Sequence, residues 1–205
     1  LIVKGTLMLQ TNFIRMVRND LRDHGFTLVL GRGRSINCSG YRVGGYFSET
    51  MKEIRVATRS PSWLGTLVHE YCHFKQYTES EFRPAGDAAD LVDSWFSGVE
   101  YSQTRVRNAF WHIRACERDA ERRAAKLIQE AQLPVNLDVY IRRANCYIYA
   151  HYIMERHRKF WAFQRDPFKS RTILAMMPNN FRSQAHESIP PAIDSALEAL
   201  VNCPS

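Results

Sequence analysis

The chain has 205 residues, 45% of them hydrophobic, with 28 Lys and Arg against 21 Asp and Glu and a formal net charge of +7. That size and balance suit one compact domain spanning 1–205, and the chain holds no internal repeat and no low-complexity tract. No apolar run approaches about 18 residues, so no membrane partner is expected, and no charged start with an apolar stretch behind it marks a leader, the sequence beginning at Leu1.

Thr11 to His24 reads as an amphipathic helix through Phe13, Ile14, Met16, Val17 and Leu21, with Gly25 placed to stop it. Phe26 to Leu30 reads as a strand. Gly31-Arg32-Gly33-Arg34-Ser35 is a turn or loop, and it lacks the G-K-[ST] ending of a phosphate loop. Tyr41 to Phe47 and Lys52 to Ala57 read as two strands around a turn near Ser48-Glu49. Gly44 and Gly45 mark a bulge or a close backbone approach.

Ser60 to Gln76 reads as the next helix, with Ser60 as N-cap and Pro61 at the first helical position. Leu64, Leu67, Val68, Tyr71 and Cys72 form its core-facing stripe, and His69, His73 and Gln76 a neighbouring one. His69-Glu70-Tyr71-Cys72-His73 is an H-E-x-x-H sequence. Positions i and i+4 share one side of a helix, so both imidazoles can reach one Zn²⁺, with the Glu70 carboxylate between them as general base. The pattern points to hydrolysis by metal-activated water. The competing reading is a pair of inert, hydrogen-bonded histidines on a helix shoulder.

Glu79 to Asp93 reads as a loop, around Pro84 and Gly86, leading into a short helix. Asp87, Asp90 and Asp93 are surface acids there, because the glycine and terminal glutamate of a calcium loop are missing. Thr104 to Ala131 reads as a long helix whose apolar face holds Phe110, Ile113, Ala120, Ala124, Leu127, Ile128 and Ala131. Glu117 falls on that face and Glu121 partly so, a costly place for carboxylates unless they are paired or metal-bound. Pairing with Arg114 and Arg118 is the ordinary explanation. Beside H-E-x-x-H, Glu117 is the expected third ligand and Glu121 the acid that orients a ligating histidine, or the two roles are exchanged.

Leu133-Pro134 breaks the chain before a helix from about Leu137 to Phe163, whose Tyr140, Tyr147, Tyr149, Tyr152, Phe160 and Trp161 read as core. His151 and His157 read as structural. A mixed tail ends in a short helix, Ala192 to Val201. The five cysteines (Cys38, Cys72, Cys116, Cys146, Cys203) are odd in number and scattered, which reads as reduced core thiols in a cytoplasmic protein. Arginines cluster from Arg105 to Arg123 and at Arg142, Arg143, Arg156 and Arg158, so nucleic acid is a possible partner but not the favoured one, since glutamates are interleaved.

H-E-x-x-H on one helix with a glutamate on a later one resembles the gluzincin branch of the zincin metallopeptidases. Glu117-Arg118-Asp119-Ala120-Glu121-Arg122-Arg123-Ala124 is similar to the E-x-x-A-x-x-x-A helix of the repressor-cleaving members. The stretches Glu117 to Ile128, Leu133-Pro134, Tyr140-Ile141 with Ala144-Asn145, the aromatic helix ending near Trp161 and Met177-Pro178 resemble small metallopeptidases encoded by tailed phages. No third histidine follows His73 as in metzincins.

The resemblance implies an α+β, zincin-like fold, mostly helical, with a small N-terminal antiparallel or mixed sheet packed on the H-E-x-x-H helix. It divides the chain into a helix-plus-sheet portion (1–60), the metal-site helices (61–131) and C-terminal helices (132–205). It implies one Zn²⁺, a peptide or protein substrate and the host cytoplasm. It places Ile54, Arg55, Val56 and Ala57 as the edge strand that holds an extended substrate. Tyr101, His112 and Tyr147 are the candidates to steady an oxyanion. The alternative is a non-catalytic, zinc-stabilised, basic phage protein that serves structure or DNA; a further one is a peptidase aimed at DNA-bound proteins.

Overall fold

The computed structural model describes residues 9–38, 40–79, 86–181 and 187–201. It is an α+β protein in which helices dominate and, among the described residues, the strands are confined to residues 27–57. The chain forms two compact units, Leu1–Phe82 with Ala120–Leu137 and Arg83–Asp119 with Asp138–Ser205.

In the first unit, helix α1 (Gln10–Asp23) buries Phe13, Val17 and Leu21, one side of three successive turns. Gly25 stops it in the left-handed region at φ +77°. There the Gly25 and Phe26 N–H groups donate back to the Arg22 and Leu21 carbonyls, a Schellman closure. Strands β1 (Thr27–Gly31), β2 (Ile36–Cys38), β3 (Tyr41–Val43), β4 (Gly45–Ser48) and β5 (Glu53–Ala57) follow.

The main sheet is mixed, in the order β1-β5-β4, with β5 parallel to β1 and antiparallel to β4. β2 and β3 form a separate antiparallel pair. The single strand expected over Tyr41 to Phe47 is thus cut at Gly44, one half joining each sheet. Close approach, not a bulge, explains Gly45: a Cβ there would stand 2.8 Å from Thr66 Cγ2 and 2.9 Å from the Arg55 carbonyl oxygen.

The edge assignment of Ile54, Arg55, Val56 and Ala57 is overturned. β5 is hydrogen-bonded on both sides, by β1 and β4, and has no free edge. Four of its five residues are buried, as in a strand covered on both faces. The outer positions of this sheet belong to β4 and β1.

Helix α2 (Trp63–Thr78) packs on β4 and β5. It starts later than expected because Ser60-Pro61-Ser62 is spent on the turn out of β5. The Ser60 carbonyl accepts the Trp63 N–H at 3.2 Å, and Ser62 takes the capping position. Leu64, Leu67, Val68, Tyr71 and Cys72 are all buried, as their spacing predicts, and Phe74 joins them. Phe74 meets Phe26 and Phe47 edge-on at centroid separations of 5.4 and 6.2 Å. Tyr71 donates its hydroxyl to Asp20 at 2.6 Å, which ties α2 to α1. The unit is completed by the later half of α4 (Gln103–Glu130), which buries Ala120, Glu121, Ala124, Ala125 and Ile128.

The second unit holds α3 (Gly86–Phe96), the earlier half of α4, α5 (Leu137–His157), a 3-10 turn at Pro167–Lys169, α6 (Arg171–Met176) and α7 (Pro191–Val201). Phe110, Tyr149, Ile153, Met154, Met177 and Leu197 are central to its core. α5 ends before the expected Phe163. Arg158 turns left-handed at φ +48°, and its guanidinium binds the Trp95 and Val99 carbonyls and Glu100. Phe160, Trp161 and Phe163 therefore reach the core from irregular chain.

Asp87, Asp90 and Asp93 lie exposed on α3, as expected of surface acids. Cys72, Cys116 and Cys146 are buried free thiols and Cys38 is half-buried; Cys203 and the loop expected around Pro84 lie outside the described residues. Among the described residues no helix is long and apolar enough to cross a membrane.

Candidate metal centre

One turn of α2 brings His69 over His73, as the i, i+4 spacing requires. Their Nε2 atoms face each other at 3.1 Å, with the rings nearly perpendicular. Ligand atoms of His69, Glu70 and His73 all lie within 4.8 Å of one another. The Glu70 side chain is buried although it carries a carboxylate. Burial of that kind is costly without a cation close by.

The far sides of the imidazoles explain their orientation. His73 Nδ1 lies 2.9 Å from Gln76 Oε1. An amide oxygen only accepts, so Nδ1 carries the proton and the Nε2 lone pair points to His69. Gln76 is fully buried, which fixes this arrangement. On the other ring, His69 Nδ1 is 3.3 Å from Glu121 Oε1, an ion-pair contact slightly long for a hydrogen bond. Burial opposes a charge on His69, but Glu121, helped by Glu70, overrides it and pushes the imidazole up to about 9. Without a metal, His69 is therefore an imidazolium whose Nε2–H donates to His73 Nε2.

A metal ion can take that proton's place. Two imidazoles at about 2.0–2.1 Å around a tetrahedral Zn²⁺ stand about 3.3 Å apart; the observed 3.1 Å is close to this. Two imidazole nitrogens beside carboxylates form a donor set that suits zinc better than a hard cation. The residues present thus fit the metal, and the Nδ1 partners supply the outer support that metal-binding histidines have.

The other residues singled out in the sequence divide as follows. Glu121 belongs to the first unit and touches His69. Glu117 is half-buried one turn earlier on α4, within the second unit, where its charge acts on His151. Tyr101, His112 and Tyr147 also belong to the second unit. His112 is exposed, Arg105 covers the Tyr101 ring at 5.0 Å, and Tyr147 packs on His151 at 4.8 Å. Arg114 is buried and bonded to Glu155 at 2.7 Å, so it is not simply a flanking arginine. Gln76 has no role in the expected metal site, although the structure gives it one beside His73. The signal was available: three residues after His73, it stands on the same helix face.

No protein-family model, curated protein or solved structure matches the chain.

Proposed function

We propose that this chain is a zinc-dependent peptidase of zincin type. One observation carries the reading: two Nε2 atoms converge at 3.1 Å while both Nδ1 atoms are turned to acceptors. His69 and His73 hold the metal. Glu117, one turn before Glu121 on α4, is proposed as the third ligand, with Glu121 steering His69; the exchange of these two roles is the alternative. Zinc, when bound, supplies Lewis acidity that activates water and polarises a carbonyl.

The chain's own groups do the rest. Glu70, buried between the histidines, takes a proton from the attacking water and returns it to the leaving amine. Gln76 and Glu121 hold the rings so that neither turns away. The role given to Ile54–Ala57 passes to β4, an outer strand of the sheet beneath α2, where an extended peptide can add as a further strand.

The test is cleavage of a broad peptide library by the zinc-loaded protein and by Glu70→Gln. The reading expects cleavage by the first, and loss of cleavage with zinc retained in the second. Equal hydrolysis by both proteins removes Glu70 from the mechanism. Zinc retained by the wild type with no peptide cleaved leaves the metal as a support only.

A further inference from the structure

Between Asp23 and Glu49 the sequence contains no acidic residue, and between Glu53 and Glu70 it again contains none. Glu53 itself is engaged by Arg55 and by the Tyr46 hydroxyl. These two stretches meet in the fold. β1 and β5 run parallel and end together at Gly31 and Ala57. Beyond that end, the Thr58 N–H donates to the Gly31 carbonyl at 2.8 Å and the Arg59 N–H to the Gly33 carbonyl at 3.0 Å. Arg42, on β3, donates from Nε to the Ser35 hydroxyl at 3.0 Å. The short loop 31–35 thus gathers Arg32, Arg34, Arg42 and Arg59 at one end of the sheet.

All four arginines are exposed. Among the described residues no carboxylate faces any of them, and the Ser35 hydroxyl on Arg42 is their one side-chain partner. The loop is tightly built: a Cβ on Gly33 would stand 2.9 Å from the Ser35 carbonyl oxygen. Some arginines of this unit do find acids, as Arg123 finds Glu79 at 2.6 Å and Arg55 finds Glu53. Four uncompensated guanidinium groups raise the local potential and present forks that match carboxylates.

We propose that this arginine cap binds an acidic stretch of a polypeptide, and that on the peptidase reading this stretch belongs to the substrate. The position favours a polypeptide over a nucleic acid. α2 starts at this end of the sheet, because only Thr58 to Ser62 separate β5 from Trp63. His69 lies six residues along α2, a rise of about 9 Å from Trp63. β4 begins at Gly45, two residues after β3 ends with Arg42 and Val43. A strand added to β4 that continues past Gly45 leaves the sheet at the end where Arg42, on the strand before β4, and loop 31–35 lie. One bound chain can then lie along β4 and place carboxylates on the cap. Assigning the occupant as substrate rests on the proposed activity, whereas the binding itself does not.

The probe is a fluorescein-labelled twelve-residue peptide rich in glutamate, compared by anisotropy with a copy in which glutamine replaces glutamate, and with a single-stranded DNA of equal charge. The protein is the full chain and its R32E/R34E/R42E/R59E variant. We expect wild type to bind the glutamate peptide at least about tenfold more tightly than the glutamine copy, and the variant to lose that preference. Unchanged zinc content and circular dichroism in the variant show that its fold and metal centre are intact; if four reversals unfold it, R32A/R34A must reduce the preference instead. Equal binding of both peptides by wild type overturns the proposal, as does preferential binding of the DNA. Either result leaves the zinc and cleavage measurements standing, so the two readings fail separately.

Discussion

Each unit encloses a histidine, His151 buried and His69 mostly so, and the two environments are opposite. In the second unit, His151 gives its Nδ1–H to the Tyr147 carbonyl one turn back, and burial holds the ring below its ordinary range, with Arg114 adding to the effect against the pull of Glu117. In the first unit, His69 is pushed up to about 9, because Glu121 and Glu70 overcome the burial. Other buried polar groups of the second unit are bonded across long stretches of chain: Asn145 donates to the Pro178 and Asn180 carbonyls, its Oδ1 having no partner among the described residues, and Arg114 donates to Glu155. Polar burial alone therefore marks nothing. What sets the first unit apart is that its imidazoles turn their second nitrogens toward one point.

That contrast can be broken most sharply at Glu70. Glu70→Gln keeps the volume and the helix but removes the base, so kcat on any cleaved peptide should fall by about 10²–10⁴ while zinc content stays that of wild type. Unchanged turnover would place the two units on the same footing. Next in size, Glu121→Ala removes the carboxylate beside His69 Nδ1, and zinc affinity, measured against a chromophoric chelator, should weaken by about 10–100-fold. Gln76→Ala should weaken it through His73 in the same direction.

Asn145→Ala sharpens the contrast from the other side. Two carbonyls lose the fully buried Asn145 amide as their donor, so urea unfolding should show a loss of about 1–3 kcal/mol with zinc affinity unmoved. A change in zinc affinity there would count against the separation of roles.

A further prediction concerns pH. His69 holds its proton up to about 9 in the folded protein, against an ordinary 6.5. In the metal-free protein this contributes stability that is complete below about 6.5 and disappears as pH rises through about 9. Zinc must displace the same proton, so its affinity should climb across that window and level off above it. A flat profile between about 6.5 and 9 would contradict the assignment of charge to His69.

What the sequence revealed followed from local rules. The α2 stripe from Leu64 to Cys72, the stop at Gly25 and the pairing of His69 with His73 all depend on neighbours within two turns, and all are present. What it hid depends on distant partners. The parallel pairing of β1 with β5 comes from residues 26 positions apart, so a strand assigned to the edge lies in the middle of the sheet. Gly44 reads as a bulge or close approach within one strand, but two different sheets claim its neighbours. α5 stops at His157, where Arg158 bonds to the Trp95 and Val99 carbonyls at the end of α3, which no periodicity could foretell. The division of α4 between two units is equally nonlocal, and it puts Glu117 and Glu121 on different sides of that division although they are one turn apart.

The central claim is that His69 and His73 grip a single divalent ion. Its most direct test is zinc bound per chain after reconstitution and exhaustive dialysis, in wild type and in His73→Ala. The account predicts about one ion in the first and almost none in the second, with the helical signal of the variant preserved. Stoichiometric zinc in His73→Ala, or a wild type that cannot be loaded, would contradict it.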